Sequence, residues 1–275
     1  MNDFDLKGYV ALRAERVEKF FAENIISASP YAEGLTSSMR YSLLAGGKRM
    51  RPAVVFSSYS IFDSNEERIV PFAAAVEALH TYSLIHDDLP AMDNDDFRRG
   101  KPTNHKVYGE ATAILAGDGL LTKSFELMLD KSLNPLVSDS IMAEAALKLA
   151  VAAGEKGMVG GQFADMQAEK STPDKNTLNY IHMHKTASLL AFCAELGAIV
   201  AGAPDSDKAG MKAYGEKIGL VFQVVDDVLD VTSTSEELGK SIGKDEAEGK
   251  TTYTSLYGLE KSMQIARELT SEAID

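Results

Sequence analysis

Residues 76–105 read VEALHTYSLIHDDLPAMDNDDFRRGKPTNH, and their pattern decides the fold class. Val76, Leu79, Leu84 and Ile85 recur at helical spacing, which predicts a buried helix with His80 two turns below Asp87 on the same face. That helix runs into carboxylates at Asp87, Asp88, Asp93, Asp95 and Asp96, followed at once by Arg98 and Arg99. The pattern returns late in the chain. IGLVFQVVDDVLDV (218–231) is another apolar stretch ending in acid, and Asp226 and Asp230, four apart, share one helix face with Asp227 beside them.

Outward from these stretches the chain keeps the same character. Eight prolines (Pro30, Pro52, Pro71, Pro90, Pro102, Pro135, Pro173 and Pro204) punctuate segments rich in good helix formers. Ser64 with Glu67 fits a capping box, and Thr172 before Pro173 and Asp174 fits a helix N-cap. Leu178, Ile181, Leu189, Phe192 and Leu196 carry helical periodicity, while strand-like alternation is nearly absent. The expectation is one all-α domain over residues 1–275, built from about ten helices. Longer irregular segments are expected near 90–104 and 232–250, and loops of that length in a compact domain are usually functional.

Composition narrows the function. Twenty-eight basic against 41 acidic residues leave a net charge of −13, the wrong sign for binding nucleic acid through a general field. A small polyanion would need local cations or metal ions. The single cysteine, Cys193, lies in the apolar setting LLAFCAELG and reads as core, so no internal disulfide forms. The start, MNDFDLKGYVALRAER, lacks a secretory pattern, and a reducing cytoplasm is the expected location. Thr186 to Ala203 is the most apolar long segment, but Glu195 interrupts it, which predicts a buried helix rather than a transmembrane segment.

Clustered carboxylates repel one another unless a cation neutralises them, and oxygen-only ligation with room for water and phosphate suits Mg²⁺. Each cluster alone also reads as a solvated helix end. Two details favour the metal: both clusters follow strongly apolar helical stretches, and both are followed by basic residues. An EF-hand is excluded because the central glycine and closing glutamate are out of place.

GGKRMRP (46–52) places Lys48, Arg49 and Arg51 beside two glycines and ahead of a proline that opens a helix. Such a segment can bring backbone and cations onto an anion, though a simple cationic turn fits it equally. It is not a P-loop, since the GxxxxGK[ST] spacing is missing. Lys185 and Lys240 are further basic candidates. His182 and His184 fall on different helix faces and read as surface or satisfied polar residues, not a zinc pair.

Taken in order, GGKRMRP, HDDLPAMDNDDFRRGKPTNH, GMVGGQFADMQ, HKTASLL and FQVVDDVLD resemble the signature blocks of trans-prenyl diphosphate synthases, closest to the bacterial farnesyl diphosphate synthases. The resemblance covers nearly the whole chain. It implies an isoprenoid synthase-type bundle around a central cavity, a homodimer, and three Mg²⁺ ions (Mn²⁺ substituting) bound with substrate. It also implies a further helix and basic tail beyond Asp275.

Residue by residue, it implies that Asp87, Asp93 and Asp226 ligate metal, with Asp88, Asp227 and Asp230 as outer partners. Lys48, Arg51, His80 and Arg99 correspond to residues that hold isopentenyl diphosphate. Arg98, Lys185, Thr186, Gln223 and Lys240 correspond to contacts with the allylic diphosphate, and Lys185, Thr186 and Gln223 are also its catalytic candidates. Tyr82 and Ser83 correspond to the positions that set chain length, and a large Tyr82 implies that elongation stops at farnesyl diphosphate. The alternatives are a geranylgeranyl diphosphate synthase, a terpene cyclase that would not need GGKRMRP, and a non-catalytic subunit of a heteromeric synthase. Loss of aspartates would be expected in such a subunit, yet both motifs are intact here.

Overall fold

Apolar residues at helical spacing have nowhere to go but against one another, and the result is an all-α protein. A computed structural model describes residues 4–168, 174–232 and 252–274. Its elements are α1 (Leu6–Asn24), α2 (Glu33–Leu43), α3 (Met50–Ser60), α4 (Val70–Asp87), α5 (Asn104–Tyr108), α6 (Glu110–Leu129), α7 (Asp139–Ala153) and α8 (Met158–Ala168). Then follow α9 (Lys175–Ile181), a π-helical turn (His182–Ala187), α10 (Ser188–Ala201), α11 (Asp205–Thr232), α12 (Tyr253–Tyr257) and α13 (Leu259–Ile274). The segment after α4 is less irregular than expected. Phe97–Arg98 (β1) pairs antiparallel with Lys101–Pro102 (β2) in a two-stranded hairpin.

Two compact units emerge, one from Met1–Ala146 with Val200–Gly202 and the other from Leu147–Ile199 with Ala203–Asp275. In the first, α4 is the central element. Phe72, Val76, Ala78 and Leu79 are fully buried, and the helix is apolar around most of its circumference, as a helix must be when others surround it. It packs on α6 along its length and on α1, α2 and α3. Taken from water, each of Phe72, Val76 and Leu79 contributes roughly 1.5–3 kcal/mol. Polar residues are therefore costly on α4, which makes Glu77 and His80 informative.

In the second unit, α11 packs against α13 and the π turn, and Leu178, Val224, Tyr253 and Ala266 form a small core. The helix of Lys175–Ala201 is long and apolar enough to cross a membrane, but 78% of its apolar window is buried, as befits a core helix. Glu195 within it is buried and pairs with Lys148.

Two expected caps are corrected. Ser64 and Glu67 form no capping box. Arg16 takes Glu67, while Asp63 accepts from the Asn65 amide and from Arg68. The segment instead turns once as a 3₁₀ helix at Glu66–Arg68, and α4 begins at Val70 with proline in its first turn. At α9 the cap is Asp174, whose carboxylate accepts the Thr177 amide at 2.8 Å; Thr172 lies outside the described residues.

Candidate functional site

The first unit gathers one set of candidates around the C-terminal half of α4. Asp87 ends the helix, and the chain folds back so that the Asp93 amide donates to the Asp87 carbonyl at 2.9 Å. Asn94 then closes the loop onto Leu89 with φ at +51°, in the left-handed region that asparagine tolerates. The five residues between Asp87 and Asp93 are thus a closed loop that brings the two aspartates back together in the chain. An all-oxygen pair of carboxylates fits Mg²⁺, which is commonly held by one or two carboxylates plus substrate phosphates. No group of three or more His, Cys, Asp or Glu side chains placed to hold a metal ion occurs among the described residues.

Asp88 faces away from that role. It is 3% exposed, and the Arg98 guanidinium donates to both its oxygens, Nε at 2.7 and 2.9 Å and Nη2 at 2.6 Å. Burial works against the charge on Arg98, but Asp88 outweighs it and raises the guanidinium further above its ordinary value. Asp88 therefore serves as the buried counter-charge that aims Arg98.

Cations collect beside it. Arg51 Nη1 lies 3.0 Å from His80 Nε2, and because arginine can only donate, Nε2 is the lone-pair nitrogen and Nδ1 carries the proton. Burial holds His80 well below the usual histidine range, and Arg51, Arg99, Arg98 and Arg49 push it the same way. It is a neutral acceptor. Arg99, at φ +53°, donates to the Gly46 carbonyl and lies across Gly47, where a Cβ would come within 2.5 Å of its Cζ. With φ at +120°, Gly47 is required on both counts. Lys48 is exposed. Tyr82 is buried and meets the His86 ring edge-on at 5.5 Å, and Ser83 donates to the His80 carbonyl at 2.9 Å.

The second unit gathers the others. Lys185 and Thr186 stand on the π turn, an irregularity that often marks functional positions. Lys185 Nζ donates to Asp165 Oδ2 at 2.6 Å from α8. Gly161 permits this, since a Cβ there would meet the Lys185 backbone nitrogen at 2.1 Å. Gln223, Asp226, Asp227 and Asp230 follow on α11, with Asp227 and Asp230 buried. The Asp227 carboxylate accepts the Tyr253 amide at 2.7 Å. Lys240 lies outside the described residues.

Reading by sequence misjudged or missed four residues. His182 is not a satisfied surface group: it is buried, Nδ1 has no partner, and burial depresses the imidazole to about 4. His184, by contrast, is half-buried and bonds the Tyr180 carbonyl through Nδ1, a satisfied polar residue as expected. Asp165 sat inside a quoted block without a role and proves to be the counter-charge of Lys185. Arg49 and Glu77 form a buried pair that no spacing rule announces.

The family described as polyprenyl synthetase matches residues 32–275. A geranylgeranyl pyrophosphate synthase from Capsicum annuum is 48% identical over 271 residues, covering 98% of this chain and 72% of its own. A farnesyl diphosphate synthase from Bacillus subtilis is 51% identical over 232 residues, 83% of this chain and 77% of its own. Among solved structures, an FPP/GFPP synthase from Zymomonas mobilis superposes with a TM-score of 0.87 at 38% identity, covering 98% of this chain and 91% of its own. A geranyltransferase from Helicobacter pylori, solved with magnesium and isoprenyl diphosphate, gives 0.82 at 35% identity over 99% of this chain and 90% of its own.

Proposed function

This chain belongs to the polyprenyl synthetase family, and we propose that within it the protein joins isopentenyl diphosphate to dimethylallyl and then geranyl diphosphate and releases (2E,6E)-farnesyl diphosphate. Head-to-tail condensation of prenyl diphosphates is the family's chemistry; the product length is the proposal. Asp87, Asp93 and Asp226 are the proposed Mg²⁺ ligands, in keeping with their oxygen-only donor set and with the magnesium in the Helicobacter relative. When bound, the ions supply positive charge to the departing diphosphate.

The chain's own residues account for the rest. Lys48, Arg51 and Arg99 hold the isopentenyl diphosphate, with neutral His80 orienting Arg51 through Nε2. Arg98, aimed by Asp88, and Lys185, aimed by Asp165, hold the allylic diphosphate. Breaking the allylic C–O bond leaves a carbocation, and the oxygens of Thr186 and Gln223 face that charge while apolar surroundings exclude water. The isopentenyl double bond attacks the cation, and the released diphosphate takes the proton that is lost.

One observation carries the product length. Tyr82 is a large, buried side chain on α4, five residues before Asp87, or about 7.5 Å down the helix. A tail growing along α4 from Asp87 runs toward this bulky side chain, which supports an end to elongation on that path. The relatives named geranylgeranyl synthases favour a second reading, one more elongation to a C20 product. Incubation with isopentenyl and dimethylallyl diphosphates, followed by product identification, separates the two. Farnesyl diphosphate from the wild type and longer products from Tyr82→Ala support the proposal. A wild type that accumulates geranylgeranyl diphosphate overturns it.

A further inference from the structure

Of the three basic residues in GGKRMRP, Arg49 is the one turned inward. Its side chain is fully buried, with Nη1 at 2.6 Å from Glu77 Oε1, Nη2 at 3.1 Å from Glu18 Oε1, Nε at 3.3 Å from the same oxygen, and Nη2 also bonded to the Leu43 carbonyl. Every nitrogen of the guanidinium is engaged by protein, and none is left for a phosphate. Glu77 is as deeply buried, its side chain 1% exposed on the most apolar helix of the unit. An ion pair in such a place rarely stabilises more than well-packed apolar side chains would, so stability alone does not account for it.

The backbone gives the second observation. Arg49 has φ at +47°, a left-handed conformation that a residue with a Cβ adopts only when its surroundings impose it. That strained residue immediately precedes α3 and separates Lys48 from Arg51. Glu77 and His80 are three apart on α4 and so lie on one face. Glu77 grips Arg49, and His80 contacts Arg51 at 3.0 Å. A third hold comes from Arg99, which donates to the Gly46 carbonyl. The segment is thereby fixed at positions 46, 49 and 51, and Lys48 is left pointing out.

We propose that the buried Arg49–Glu77 pair is a positioning device: it sets the register of the GGKRMR segment on α4 so that Lys48 and Arg51, and not Arg49, are presented to the isopentenyl diphosphate. This rests on the assignment of Lys48, Arg51 and Arg99 to that substrate. The pair acts through backbone geometry and touches no reacting atom. Releasing Arg49 lets the segment relax to an ordinary φ, which redirects Lys48 and changes the approach of Arg51 to His80. The effect falls on affinity for one substrate only, because the contacts of Arg98 with Asp88 do not involve this segment.

The test is a double-variant cycle with Arg49→Met, Glu77→Leu and the two combined, reading Tm and the KM of each substrate separately. Arg49→Met leaves Glu77 buried without its partner, Glu77→Leu leaves Arg49 with only the half-buried Glu18, and each lowers Tm. The combined variant carries neither charge and recovers most of that loss. A positioning role predicts that its KM for isopentenyl diphosphate nonetheless stays raised by about tenfold or more, with the allylic KM and the kcat at saturation near wild type. A combined variant with recovered Tm and a wild-type isopentenyl KM overturns the proposal. Arg49→Lys reads the same quantity should the combined variant fail to fold, since lysine keeps the charge but cannot make the forked contact to Glu77 and Glu18. A raised isopentenyl KM in that variant supports the proposal, and an unchanged one overturns it. Arg51→Ala distinguishes the underlying assignment. If it raises the isopentenyl KM while the Arg49 variants do not, only the positioning role fails; if it does not, the assignment of the segment fails with it.

Discussion

The Tyr253 amide donates to Asp227 Oδ2 at 2.7 Å, joining the acidic end of α11 to the first residue of α12, 26 positions further along. Thr252 caps the same helix through the Ser255 amide, so α12 begins on two side-chain acceptors. Asp227 is buried in making this contact, whereas its neighbour Asp226 is only half-buried. Adjacent carboxylates thus have different work. Asp227→Ala is expected to destabilise the protein by about 1.5–3 kcal/mol, because the amide loses a charged acceptor. Asp227→Asn keeps an oxygen there and is expected to lose less. Urea unfolding measures both. Steady-state kinetics should show Asp226→Ala to be far more damaging to kcat than Asp227→Asn. Equal losses of kcat at unchanged stability would identify Asp227 as a metal ligand instead.

Metal removal gives the next expectation. Chelation by EDTA should abolish turnover, and added Mg²⁺ or Mn²⁺ should restore it. Asp87→Ala should reduce kcat by about a hundredfold or more while leaving the thermal midpoint unchanged or raised, since it removes a carboxylate from an acidic loop. Full turnover in EDTA would remove the metal from the mechanism.

His182 predicts a pH dependence of stability. Its imidazole titrates near 4 in the folded protein because burial disfavours the charged form, against about 6.5 in an unfolded chain. The folded value is depressed, so the stability this group contributes is complete above pH 6.5 and is lost as the pH falls toward 4. His80 is depressed in the same direction and adds to the slope. At pH 5 the loss from His182 amounts to about 2 kcal/mol. His182→Phe fills the same space beside Tyr253 without a titrating group, and its unfolding free energy should fall less between pH 7 and 5. Parallel curves for the two proteins would show that His182 does not titrate as its burial requires.

The helices were legible because apolar periodicity is a local signal. Val76, Leu79 and Ile85 announce α4 from spacing alone, and the structure buries Val76, Leu79 and Ile85. The first-unit candidates were legible as types: Asp87, Asp93, Arg51, His80 and Arg99 all lie on α4 or on segments beside it. Partners were not legible. Asp88 pairs with Arg98 across ten residues, Asp165 with Lys185 across 20, and Arg49 with Glu77 across 28. Such pairs depend on which helix faces meet, and a single sequence carries no record of that. Caps failed for a related reason. Ser64 and Glu67 had the spacing of a box, but Arg16, 51 residues from Glu67, claimed the glutamate first. Tertiary partners overrode a local preference worth about 1 kcal/mol.

The last expectation concerns the two glycines of GGKRMRP, which look alike in sequence and differ in the structure. Gly46 has φ at +82° and nothing within 4 Å of where a Cβ would stand. Gly47 has φ at +120° and would place a Cβ at 2.5, 2.7 and 2.8 Å from Cζ, Nε and Nη1 of Arg99. Gly46→Ala therefore adds backbone strain alone, about 1–3 kcal/mol. Gly47→Ala adds comparable strain and also drives the Arg99 guanidinium off its seat, breaking its bond to the Gly46 carbonyl. If Arg99 holds isopentenyl diphosphate, Gly47→Ala should raise the KM for that substrate by about tenfold or more, and Gly46→Ala should change it much less. Combining Gly47→Ala with Arg99→Ala removes the collision. The pair should then raise KM no more than Arg99→Ala does alone, a non-additivity that reports direct contact. Additive effects in the double variant would mean that Gly47 acts on the site by a route other than Arg99.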